Sequence, residues 1–146
     1  MQHLQRRDGQ RGFTLIEILI AIIVLSLGLL GLAGLQATGL RNNTSSYLRS
    51  QATFLAYDIA DRIRANRRDA LNGAYDIDLK DNASGTSLAV LDVQEWKALL
   101  ADRLPAGDGA VQSSQIGGKT VFVITVEWND TADATPLQSF SFHTEL

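Results

Sequence analysis

At 146 residues the chain has room for one ordinary domain and not for two independent cores. A net charge of −3 and a pI near 5.2 give no electrostatic footprint for phosphate backbones, so no nucleic acid is expected as a partner. The absence of cysteine removes disulfides, thiolate catalysis and cysteine-ligated zinc, and leaves the compartment to be read from the N-terminus.

The chain opens on a short basic stretch in which Arg6, Arg7 and Arg11 are opposed only by Asp8. Between Glu17 and Arg41 no charged side chain occurs. As a helix the uncharged run Ile18–Leu40 extends about 35 Å, enough to cross a hydrocarbon core of about 30 Å. The basic flank predicts a cytoplasmic N-terminus and an outward Leu146, hence a single-pass inner-membrane protein with its head in the periplasm. A cleaved secretory signal has a shorter apolar region, and the one nearby site, around Ala37, has Leu35 where a small residue belongs. A buried helix of this length and uniformity needs more surrounding protein than the rest of the chain supplies. A plain membrane anchor remains as the competing reading.

Immediately before the span stands Gly12-Phe13-Thr14-Leu15-Ile16-Glu17. This string resembles the signal sequence of type IV prepilins and pseudopilins, in which a short basic leader ends in glycine, a phenylalanine follows, and a glutamate is the fifth residue after the cut. The resemblance implies a leader over residues 1–12, cleavage by prepilin peptidase between Gly12 and Phe13, and methylation of the new amino terminus. Because the cut precedes the apolar run, the anchor is retained. Glycine at the scissile position lets the backbone approach an enzyme closely.

Glu17 has two readings. Locally, Thr14 and Glu17 have the spacing of a capping box, and a carboxylate in the first turn gains from the helix dipole. The resemblance implies instead that Glu17 pairs with the methylated amine of a neighbouring subunit and sets its axial register in the filament core. There the pair is weakly screened, and loss of either partner leaves a buried charge. Gly28, Gly31 and Gly34 recur every third residue, with Gly39 beyond them. They favour close helix packing, and local unwinding on entry into a fibre is the alternative. Many major pilins carry a kinking proline in this region, which this chain lacks.

Past the span, Leu48, Ala52, Leu55, Ile59 and Ile63 recur every four residues or nearly so, marking an apolar stripe, and the i,i+4 pair Asp58–Arg62 lies off it. The helix is therefore expected over residues 13–69, with the transmembrane segment at about 15–40 and an αβ head over 70–146. The resemblance implies a pilin's shape: α+β, the second half of a long N-terminal helix packed on a small antiparallel sheet.

Residues 72–87 read as the loop between helix and sheet. Asp76, Asp78, Asp81 and Asn82 miss the spacing of a calcium loop, with Lys80 at the third ligand position, so no metal and no cofactor is implied. A second helix is expected to cap at Asp92, with Glu95 three residues on and Val93, Trp96, Leu99, Leu100 and Leu104 along it before Pro105. Val111–Ile116 and Lys119–Trp128 read as strands joined by Gly117-Gly118, with Phe122, Ile124, Val126 and Trp128 forming the apolar face. Leu137–Thr144 is the third strand, after a loop at 129–136.

Leu27–Gly31 and Ala52–Asn66, with weaker support from Val126–Trp128, resemble minor pilins of the PilV type. That implies a structural subunit that primes assembly at the inner membrane and sits at or near the pilus tip. Its partners would be other minor pilins, the major pilin and the assembly platform. The disulfide that closes a C-terminal loop in many pilins cannot be carried over. Catalysis finds no support, since His3 and His143 lie at opposite ends and no triad, metal or phosphate-loop pattern occurs. Arg62, Arg64, Arg67 and Arg68 are interleaved with acids and read as a solvated face. The alternatives are a pseudopilin of a type II secretion system and a single-pass anchored binding module.

Overall fold

The computed structural model describes residues 12–130 and 137–146. The leader arginines, His3 and most of the 129–136 loop lie outside the described residues. The chain divides into two compact units whose boundary falls inside the first helix, between Arg41 and Asn42.

That helix, α1, spans Leu15–Ala65. In the first unit it is made of leucine, isoleucine, alanine and glycine with few polar interruptions, and one 18-residue window reaches a mean hydropathy of 2.8 with none of it buried by the chain itself. An apolar surface of this kind is stable only in lipid or against other protein. Its few hydroxyls are satisfied internally: Ser26 donates to the Ile22 carbonyl at 2.7 Å and Thr38 to the Gly34 carbonyl at 3.0 Å. Turning back on the preceding turn removes a bare hydroxyl from an apolar surface.

In the second unit α1 becomes amphipathic. The expected stripe Leu48, Ala52, Leu55, Ile59 and Ile63 is buried, joined by Ala56 and Ala60. The helix ends earlier than periodicity predicts. Asn66 leaves helical geometry at φ −109° and ψ 49°, its amide donates to Asp69 at 3.1 Å, and Arg67–Ala70 forms a separate turn, α2. Asparagine is a weak helix former whose side chain competes for local hydrogen bonds, which accounts for the break.

The second long helix, α3, spans Leu88–Arg103 and corrects the expected start. Its N-cap is Ser87, whose hydroxyl accepts from the Val90 N–H at 3.4 Å, and Asp92 lies inside the helix. Asp92 and Glu95 have cap spacing but serve tertiary contacts. At the other end Leu104 closes the helix before Pro105, as expected.

Strands β1 (Asp108–Ile116), β2 (Lys119–Trp128) and β3 (Gln138–Glu145) form an antiparallel sheet in the order β1-β2-β3. β1 starts three residues before the expected Val111, because Asp108–Ala110 continue the pairing with Thr125–Glu127. Gly117 and Gly118 have φ of 60° and 79°, the left-handed pair that a tight hairpin turn requires. The alternation in β2 is as expected: Phe122, Ile124, Val126 and Trp128 are buried, in one core with the α1 stripe, Tyr75, Val93, Trp96 and Leu100. This is the α+β fold the sequence implies: a long N-terminal helix followed by a three-stranded antiparallel sheet.

Candidate assembly site at the N-terminus

Gly12 and Phe13 precede the helix outside regular structure, both exposed, and among the described residues nothing beyond the chain neighbours lies within 4 Å of the position a Cβ on Gly12 would take. Thr14 starts the helix. Its hydroxyl accepts from the Glu17 N–H at 3.3 Å and its carbonyl accepts from the same group at 3.1 Å, so the Thr14 side of the capping box is present. The contact uses the Glu17 backbone. Its carboxylate has no hydrogen-bond partner among the described residues, and it borders a shallow hollow with Phe13, Ile18, Ala21, Ile22 and Leu25. A carboxylate on an apolar wall in the first turn of such a helix is costly unless the helix dipole or a partner charge offsets it.

Further along, Gly28, Gly31 and Gly34 are open: among the described residues, nothing beyond the helix's own adjacent backbone comes within 4 Å of a Cβ built at any of them. If these glycines permit close approach, it is the approach of another helix. Ser26 and Thr38, their back-bonded neighbours, were not singled out in the sequence, although a hydroxyl inside an apolar run is a signal for such bonding.

In the head the charged residues are tied to one another. The Arg62 guanidinium reaches Asp58 at 3.1 Å, Asp92 at 3.4 Å and Glu95 at 2.8 Å, so the expected i,i+4 pair is one arm of a larger network. The Glu95 bond, with the carboxylates of Asp58 and Glu95 nearby, raises the Arg62 pKa against the cost of burial, and the same bond lowers that of Glu95. Tyr75 donates to Asp92 at 2.6 Å, and burial, then that carboxylate, push its phenol up to about 12. Arg64 pairs with Asp61 at 2.7 Å and donates to Thr144 at 2.7 Å. Asp76 holds β1 through the Ser113 N–H at 2.9 Å and hydroxyl at 2.7 Å, and Asp78 accepts from Gln112 at 2.9 Å. These bonds tie the loop to β1.

Residues 7–33 match the family model of the prokaryotic N-terminal methylation motif. The matched stretch contains the Gly12-Phe13 junction, Glu17 and two of the three glycines. It ends inside a helix long and apolar enough to cross a membrane. Signal and span together define a class: precursors whose processing signal lies ahead of the anchor, so that cleavage leaves the anchor in place. Residues 7–33 thus carry the N-terminal signal of type IV pilin-like precursors. No curated protein and no solved structure matches it.

Proposed function

We propose that this chain is a minor pilin, a structural subunit that helps initiate type IV pilus assembly and is incorporated at or near the pilus tip. Prepilin peptidase cuts after Gly12, the new Phe13 amine is methylated, and the chain waits in the inner membrane with its head in the periplasm. From there it passes to the assembly platform. Glu17 pairs with the methylated amine of a neighbour, and Gly28, Gly31 and Gly34 let neighbouring helices approach. Partners are other minor pilins and the major pilin. The observation that carries the pilin-like part of the reading is the methylation motif running into the apolar helix. The resemblance of Leu27–Gly31 and Ala52–Asn66 to PilV-type minor pilins supports the finer role.

The test is the mature N-terminus. In cells that contain the peptidase, sequencing of the membrane-bound chain should begin at methylated Phe13, and replacing Gly12 by a bulky residue should trap the precursor. An intact Met1, or a start near Thr38, overturns the proposal.

A further inference from the structure

The two edges of the head's sheet are finished differently. The outer edge of β1 is covered at its middle by the chain itself: Ile77 and Val111 exchange both backbone hydrogen bonds at 2.9 Å, and Asp76 accepts the next outward N–H, that of Ser113. The outer edge of β3 is open. Because Val111 turns its backbone toward Ile77, its partner Ile124 turns toward β3 and bonds with Phe142. The alternation then directs the N–H and C=O groups of Ser139, Ser141 and His143 away from the sheet. Among the described residues no backbone or side-chain group meets them.

Burial follows the same asymmetry. Phe122, Ile124 and Val126 are fully buried on the helix-facing side of β2, whereas Phe140 and Phe142 on the same side of β3 are only half-buried. Tyr57 of α1, its ring 4.7 Å from that of Phe142, stays 46% exposed. An unpaired edge beside half-covered aromatic rings has the features of a strand-addition site.

We propose that the β3 edge, with the shelf of Tyr57, Phe140 and Phe142, accepts an edge strand from the head of a different pilin-like subunit anchored in the same membrane. This rests on the pilin-like reading. A second copy of this chain is a poor occupant. Its β1 edge is already covered at its middle by Asp76 and Ile77. In the head, α1 runs in the same sense as β3, since Ser45, Tyr57 and Arg64 meet Asp130, Phe142 and Thr144 in turn. Antiparallel pairing of two β3 strands would therefore set the two Asn42 ends, each leading into a membrane span, at opposite ends of the joined sheet. The incoming strand needs apolar side chains at alternate positions to cover Phe140 and Phe142, and polar ones beside Ser139, Ser141 and His143. With one edge open and the other covered at its middle, the pairing stops at this subunit and does not propagate. That suits a component used in small numbers.

The test uses the full chain in producing cells. With p-benzoylphenylalanine in place of Ser141, irradiation should link the chain to a polypeptide carrying its own N-terminal methylation motif, the adduct mapping by mass spectrometry to a strand of that partner. The same probe in place of Ser114, on the covered side, sets the background. His143→Pro removes an outward N–H while sparing the β2–β3 ladder, and should lower the yield about tenfold. If that variant does not accumulate, Ser139→Lys, which charges the edge without touching the core, should lower it in the same direction. No adduct above background, an adduct only of the chain with itself, or a yield that neither variant changes overturns the proposal. The N-terminus is read in the same cells. A missing link on a chain that starts at Phe13 sinks the edge proposal alone, whereas retention of Met1 sinks the pilin-like reading and this partner with it.

Discussion

Two single residues carry most of the chemistry that the chain exposes or hides. Glu17 lends its backbone N–H to the Thr14 hydroxyl, so Glu17→Leu keeps the helix start and removes only the carboxylate. If the carboxylate pairs with a neighbour's amine, the variant should still insert and be cleaved, yet enter pili about tenfold less, scored by immunoblot of sheared fibres. Normal incorporation would reduce Glu17 to a favourable charge near a helix N-terminus. Tyr75 gives a stability prediction in the head. Its phenol, ordinarily near 10, is held up to about 12 by burial and by the Asp92 carboxylate. Between those values the folded chain keeps a proton that the unfolded chain releases, so deprotonation favours unfolding. Stability present below pH 10 should decline as pH rises through about 12, and Tyr75→Phe should remove that component at a cost of about 1 kcal/mol for the lost hydrogen bond. Urea titrations of detergent-solubilised protein at several alkaline pH values check both. An unchanged pH profile in Tyr75→Phe would show that other groups set the alkaline limit.

Among elements, the tightest junction lies between α3 and β1. A Cβ on Gly109 would run into the Trp96 ring and approach Leu100 Cδ1 at 2.7 Å, and the Trp96 indole is fixed by its bond to the Leu55 carbonyl at 2.9 Å. Gly109→Ala should therefore destabilise the head by about 1–3 kcal/mol through overpacking, seen as a lower denaturant midpoint with unchanged membrane insertion. That junction was not legible in the sequence, because nothing local marks Gly109, thirteen residues away, as Trp96's neighbour. The stripe Leu48–Ile63, the alternation in β2 and the Gly117-Gly118 turn were legible, since each is a pattern of period or turn chemistry contained within its own element. Asp92 and Glu95 misled for a physical reason. Their spacing fits a cap, but they are recruited by Arg62 and Tyr75, 30, 33 and 17 residues away, while the weaker-looking Ser87 caps the helix. At the N-terminus the order of glycine, phenylalanine and glutamate before the span was readable because a processing signal is linear. What meets the Glu17 carboxylate and the glycines was not, because no hydrogen-bond partner of that carboxylate, and no side chain against those glycines, lies among the described residues.

On the scale of the whole molecule, the chain consists of a unit whose apolar helix is left uncovered by the described residues and a head with a core of its own. Such a division leaves the first unit dependent on lipid until other helices replace it. If the chain initiates filaments, as proposed, it makes that exchange first, packing residues 18–40 against a few other minor pilins in the membrane, and major pilin is then added to the small complex. Deleting the chain should therefore lower the number of surface pili sharply, while major pilin accumulates unassembled in the inner membrane, both counted by electron microscopy and fractionation. Blocking retraction should restore some pili, because slow assembly with few initiators no longer competes with disassembly. Complementation of the deletion should depend on Gly12 in the re-introduced gene, which ties the effect to the processed chain and not to the loss of a membrane protein in general. Purified fibres built mainly of this chain would overturn the initiator role and make it bulk material. A deletion that abolishes protein secretion and leaves pili at normal number would move it to a type II secretion system, where the same N-terminal signal serves a different machine.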